Sequence, residues 1–103
     1  MKIVNLTPHE VTIGGHEPIP PSGMTARVSQ ATVMAGQIDG MRVVKTVLGE
    51  VCGLPAERNG TVLIVSQLVA RQVPDRSDVF YPAEPVRDGA GNIVYCKALG
   101  RAL

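Results

Sequence analysis

Three arginines stand out among the residues that could do chemistry: Arg27, Arg76 and Arg87. Arg27 lies in a predicted strand among small or apolar neighbours, and the other two follow the apolar stretch that ends near Ala70. A guanidinium group binds a phosphate or carboxylate through two parallel hydrogen bonds. These side chains predict an anion-binding site, although an ordinary exposed surface charge is the alternative at each position.

The sequence around Ser66 predicts where such a site would lie. Residues 61–65 form a continuous apolar run typical of a central strand, and Ser66 is a suitable N-cap for a helix that ends at Pro74. Backbone N–H groups in the first turn of a helix are free to bind anions. Gln67, at the first helical position, could present its amide to a ligand or simply be exposed. We expect this strand-to-helix junction to form one wall of a binding site.

The residue sets that catalysis requires are not found in the sequence. Ser66 lacks the glycines that flank a nucleophilic serine, and Asp75 and Asp78 stand among Arg71 and Arg76, so ion pairing explains them. No glycine-rich phosphate loop stands between a strand and a helix. We therefore predict a binding protein and not an enzyme.

The histidines and cysteines do not predict a metal site. His9 and His16 lie in turns near the N-terminus at a spacing that matches no compact zinc motif. Cys52 and Cys96 are 44 positions apart, so we interpret both as structural, reduced thiols in a cytoplasmic protein. Neither a metal nor another cofactor is expected.

Length and charge limit the function further. A chain of 103 residues is sufficient for one domain, which we expect to span residues 1–103. The formal net charge of +1 argues against a DNA- or RNA-binding protein. No run of 18 apolar residues and no leader-like segment occurs, so we expect no membrane partner.

Turn residues divide the chain into short strands. Lys2–Leu6 and Val11–Ile13 predict an N-terminal hairpin, the proline-rich segment 14–23 predicts a loop, and Thr25–Val33 predicts a strand. Asp39-Gly40, between two β-type runs, is the strongest hairpin signal in the sequence.

The second half of the chain contains one more predicted hairpin. Met41–Cys52 predicts a strand, 54–60 a loop, and Pro85–Asp88 with Ile93–Leu99 a closing hairpin around Gly-Ala-Gly-Asn. The predicted fold is α+β: mainly antiparallel β-sheet hairpins, with one or two short helices after the central strand.

Several short motifs occur in a fixed order across most of the chain. They are Asn5-Leu-Thr-Pro-His9, the Asp39-Gly40 turn, Gly60-Thr-x₃-Val-Ser66, Pro74-Asp-Arg-x-Asp78, Val86-Arg-Asp88 and Gly91-Asn-Ile-Val94. In this order they resemble the small phage and prophage proteins that counter Thoeris immunity. Those proteins are sponges, which bind the glycocyclic ADP-ribose signal made by TIR-domain enzymes and do not degrade it.

The resemblance implies an oligomeric state, a set of ligand-binding residues and a cellular location. It implies a dimer, or a hexamer built from dimers, with ligand pockets between protomers, acting in the cytoplasm of an infected bacterial host. Some members also hold cyclic oligonucleotides of the CBASS pathway at a second site. By this resemblance, Arg27 and Arg87 would contact phosphates, and Gln67 would supply an amide near the adenine. With Arg76, they form the predicted ligand-binding set. The family also places an aromatic near the adenine, yet the loop 54–58, where we would expect it, contains none.

Two other functions are compatible with the sequence. A small structural or assembly protein of a phage particle would also be rich in valine and hairpins and would need no ligand. A small hydrolase acting on nucleotides is the third and least favoured hypothesis.

Overall fold

Six strands and one short helix make up the fold in a computed structural model that describes residues 1–103. In chain order they are β1 (Lys2–Asn5), β2 (Arg27–Ile38), β3 (Met41–Cys52), β4 (Thr61–Ile64), α1 (Gln67–Gln72), β5 (Val79–Arg87) and β6 (Ile93–Gly100). The predominance of strands with antiparallel hairpins confirms the predicted class at the level of a mainly-β α+β protein.

Four strands form one mixed sheet in the order β1-β4-β5-β6. β4 lies parallel to both β1 and β5, while β5 and β6 form the expected antiparallel closing hairpin. The two parallel pairings were not predicted. Parallel strands need a crossover connection, and the segment from β4 through α1 supplies one between β4 and β5.

The predicted N-terminal hairpin is wrong. Val11 instead bridges Ile19, and Ile13 bridges Cys96 at the outer side of β6. Asn5 accounts for the difference, because its buried side chain folds the following turn back on itself. Its Nδ2 donates to the carbonyl oxygens of His9 (2.8 Å) and Ile19 (3.0 Å), and its Oδ1 accepts from the backbone N–H and hydroxyl of the residue two positions on.

β2 and β3 form a separate two-stranded antiparallel hairpin, here called the arm (residues 27–52). Asp39 and Gly40 both have positive φ, 50° and 78°, so the predicted tight turn is confirmed. β2 is longer than predicted: it runs on to Ile38 through a bulge at Ala35, which lies between its paired neighbours on β2 without a counterpart on β3.

The core lies beneath α1, and only the base of the arm reaches it. Its buried members are Leu6, Ala26, Leu63, Val65, Val69, Ala70 and Val79. From the arm, Val28 and Val51 pack against this cluster. The Cα radius of gyration is 16.2 Å, compared with about 13 Å for a compact chain of this length. The arm therefore projects from the rest of the protein, here called the body.

Candidate ligand-binding site

Two open grooves cross the body of the protein. The first, called the β6 groove, has a volume of about 520 Å³ and lies between the segment Thr7–Thr12 and residues 93–96 of β6. The second, called the β1 groove, has a volume of about 590 Å³ and lies between β1, the Ile19–Ser22 segment and the 55–58 loop. Both volumes are within the range of small-molecule sites, about 300–1,000 Å³.

Hydrogen bonds hold the walls of the β6 groove in place. The Cys96 N–H donates to the carbonyl oxygen of Thr12 (2.9 Å), and the Gly14 N–H donates to the carbonyl oxygen of Cys96 (2.7 Å). The Asn5 side chain fixes the other end of the segment through the carbonyl oxygen of His9. The motif at residues 5–9 thus has a structural role, because it shapes one wall of the groove.

The lining of the β6 groove combines ring systems with hydroxyls. The half-buried Tyr95 and the exposed His9 and Glu10 line it, together with the hydroxyl-bearing residues Thr7, Thr12 and Ser66. A phenol ring offers a stacking surface for a base, and hydroxyls both donate and accept hydrogen bonds. The sequence analysis did not predict that Tyr95 and His9 line one groove. The ordered motif that ends at His9 was the signal available for His9.

Cys96 also lines this groove, but as an inert group. Burial raises the pKa of its thiol, which therefore stays protonated near neutral pH. This agrees with the interpretation of a structural cysteine.

The junction at Ser66 is less available to an anion than the sequence suggests. The Ser66 hydroxyl accepts a hydrogen bond from the Val69 N–H (3.3 Å), so one of the free N–H groups of the first turn is already capped. α1 has only six residues, and its dipole is correspondingly small. Ser66 contributes to the β6 groove as one polar lining residue.

Arg76 is held by the fold. Its Nε and Nη2 donate to the two carboxylate oxygens of Asp78, each at 2.8 Å, and Nη2 also donates to the carbonyl oxygen of Pro55 (2.9 Å). The predicted ion pairing is confirmed for Asp78 and wrong for Asp75, which forms no ion pair. These bonds tie the 54–58 loop to the turn before β5, and this is the role that the structure gives Arg76.

Arg27 and Gln67 lie outside both grooves. Arg27 begins β2 opposite Cys52 at the base of the arm, and Gln67 is the exposed first residue of α1. Neither side chain lines the β6 or the β1 groove. A single chain therefore does not gather the four predicted ligand-binding residues into one pocket.

Arg87 lies beside the β6 groove without lining it, as Arg76 lies beside the β1 groove through its bonds to Pro55 and Asp78. Arg87 pairs with Ile93, which lines the β6 groove, and cross-strand partners project from the same face of a sheet. Its Nη1 donates to the carbonyl oxygen of Gly91 (2.9 Å) across the hairpin turn. Asp88 shapes that turn by accepting from the N–H groups of Asn92 and Ala90, which lowers the pKa of its carboxyl.

The adjacent aromatics Phe80 and Tyr81 pack within the protein. The Arg101 guanidinium lies 5.1 Å from the centre of the Phe80 ring, and Tyr81 packs against the core. No cluster of three or more His, Cys, Asp or Glu residues could hold a metal ion. The only helix is too short to cross a membrane.

Comparison of the chain with protein-family models, with curated proteins and with solved structures gives no match.

Proposed function

We propose that this protein is a phage anti-defence binder that sequesters a cyclic nucleotide immune signal, foremost glycocyclic ADP-ribose, without cleaving it. The observation that carries the proposal is the β6 groove, which is open, large enough for a nucleotide and lined by a tyrosine ring, an imidazole and hydroxyls. The ordered sequence motifs point to the same class of ligand.

A sponge needs affinity and slow release, and both follow from shape and charge. In the proposed complex the base stacks on Tyr95 and bonds to the hydroxyls of the groove, while Arg87 turns from the carbonyl of Gly91 to a phosphate at the rim. His9 and Glu10 also line the groove, and we propose that neither attacks the bound ligand, which therefore leaves intact.

The complete site is proposed to be shared between protomers of a dimer or of a hexamer built from dimers. Arg27 and Gln67 are exposed and lie outside the grooves of their own chain, so a second protomer is what could bring them to a ligand. The β1 groove, with Lys2 and Arg58 in its lining, is the second space available for an anionic CBASS cyclic oligonucleotide. The proposed setting is the cytoplasm of the infected host.

Calorimetry with the glycocyclic ADP-ribose isomers tests this function. Arg87→Ala should weaken binding by about ten- to a hundredfold, because it removes a charge-assisted hydrogen bond worth about 1.5–3 kcal/mol. The melting temperature should stay nearly unchanged, since Arg87 is exposed. Arg71→Ala, which removes an exposed arginine on α1, is the matched control and should bind like the native protein.

The fate of the ligand decides between a sponge and an enzyme. Ligand released by denaturing the complex should have its original mass. Absence of binding at tens of micromolar protein, or recovery of a hydrolysed ligand, would overturn the proposal.

The projecting arm favours a second candidate, a structural or assembly protein of a phage particle. Long exposed hairpins with apolar side chains serve well for joining subunits into larger assemblies. Rings or tubes seen by electron microscopy in ligand-free protein, together with no nucleotide binding, would favour this candidate.

A further inference from the structure

The β6 groove contains one carboxylate that has no partner within the protein. Glu10 is the only acidic residue among the 12 that line the groove, and no lysine or arginine is among them. Its side chain forms no ion pair, because both salt bridges of the protein belong to Arg76. The side-chain hydrogen bonds of its loop are made by Asn5 and Thr7 instead. The carboxylate oxygens of Glu10 are therefore free to accept hydrogen bonds from a ligand.

This carboxylate favours one part of a nucleotide over another. A phosphate placed beside Glu10 is repelled, since no cation of the groove lining offsets the two negative charges. A sugar hydroxyl instead donates to the carboxylate, and hydrogen bonds to an ionised group are stronger than neutral ones. Acidic side chains bind ribose hydroxyls in this way in dinucleotide-binding folds. The charge of the groove thus matches a nucleoside and not a phosphate.

The surroundings of the groove have the complementary arrangement. Arg87 lies beside the groove without lining it, and its Nη1 donates only to the carbonyl oxygen of Gly91 in an exposed turn. A phosphate that leaves the groove on this side meets a guanidinium group. Tyr95 provides an aromatic ring inside the groove for the base. Base, sugar and phosphate can therefore each contact a group of suitable chemistry.

We propose that the β6 groove binds the nucleoside part of its ligand, and that Glu10 determines specificity by accepting hydrogen bonds from ribose hydroxyls. The phosphate then stays at the rim beside Arg87. This inference rests on the proposed function, because it takes the ligand to be a nucleotide. It adds a selection that the proposed function does not contain: a ribose that is phosphorylated at its 2′ or 3′ position, or lacks these hydroxyls, is rejected.

Two isomeric ligands test this selection. Adenosine 5′-monophosphate and adenosine 3′-monophosphate have the same base, sugar and charge, but only the first keeps both ribose hydroxyls free. In titrations followed by NMR at millimolar ligand, the native protein should bind the 5′ isomer at least about tenfold more tightly. Glu10→Gln keeps the shape of the side chain and removes its charge. It should weaken binding of the 5′ isomer and strengthen binding of the 3′ isomer, so that the preference is lost.

Glu17→Gln is the matched control, because Glu17 is an exposed carboxylate of the same N-terminal segment that lines neither groove. This variant should keep the native preference. Equal binding of the two isomers by the native protein, binding of neither, or an equal loss of both in Glu10→Gln would overturn the inference. Calorimetry with glycocyclic ADP-ribose judges the proposed function separately. If that ligand does not bind while the isomers show the expected dependence on Glu10, the role of Glu10 stands and the choice of ligand is wrong.

Discussion

Asp78 is buried yet charged, because Arg76 gives it two hydrogen bonds of 2.8 Å. These bonds hold the pKa of its carboxyl below the usual range. A carboxyl whose pKa is lower in the folded state stabilises the protein above about pH 4 and loses that effect as the pH falls through the folded pKa. Asp78→Asn should therefore cost about 2 kcal/mol of unfolding free energy at pH 7, and less as the pH is lowered.

Melting temperatures between pH 7 and pH 3 check this prediction. The gap between native protein and Asp78→Asn should narrow steadily toward pH 3. Asp75→Asn, an exposed neighbour with no ion pair, should melt like the native protein at every pH. If the difference in melting temperature were the same at every pH, the loss of stability would come from packing and not from the charge.

The sequence predicted residue roles well where partners are close along the chain. Arg76 and Asp78 are two positions apart, so their ion pair could be predicted. The bond from Arg76 to the carbonyl of Pro55 spans 21 positions and could not, and it is this bond that makes Arg76 a structural residue. Tyr95 and His9 meet across one groove only because the whole sheet forms, and no local spacing indicates that.

At the scale of elements, Gly53 shows how the end of the arm is joined to the body. It follows β3 with φ of +79°, and a Cβ built there would lie 2.5 Å from the carbonyl oxygen of Thr25. Gly53→Ala should cost about 2–4 kcal/mol, because it adds both backbone strain and a clash with main chain. Gly15→Ala, at a site with open space and no positive φ, should cost less than about 0.5 kcal/mol. Urea denaturation of both variants measures the difference, and equal losses would contradict it.

Hairpins were predictable as elements, and parallel pairs were not. Asp39-Gly40 and the turn after Asp88 are local signals, because the turn residues themselves set the backbone path. β1 pairs with β4, almost sixty positions away, and nothing in the turn between Leu6 and Val11 reveals that choice. The N-terminal hairpin was predicted from proximity alone, whereas pairing with β4 places β1 beside the most buried strand of the sheet.

At the scale of the whole molecule, the buried core and the exposed apolar surface of the arm use different residues. Only 12 of the 103 residues are buried, and apart from Ala26 none lies between the end of the N-terminal loop and β4. The core of the body therefore contains no residue of the outer arm. The exposed apolar side chains of the arm lie outside that core. The sequence predicted both strands of the arm but not this separation, since strand patterns do not reveal what packs on a strand.

Removing the outer arm separates the two roles in one experiment. Gln30 and Leu48 are paired across the arm, so replacing residues 31–47 by Asn-Gly should close a short hairpin while keeping Val28 and Val51 on the core. We expect a folded monomer whose melting temperature stays within about 5 °C of the native value, since the deleted segment is almost wholly exposed. Nucleotide affinity should fall at least tenfold, because the second protomer no longer completes the site.

Sedimentation, thermal melting and calorimetry on the same sample measure the three outcomes. An unfolded product would place the arm in the core, a persistent dimer would place the contact between protomers on the body, and unchanged affinity would show that the β6 groove of one chain is sufficient.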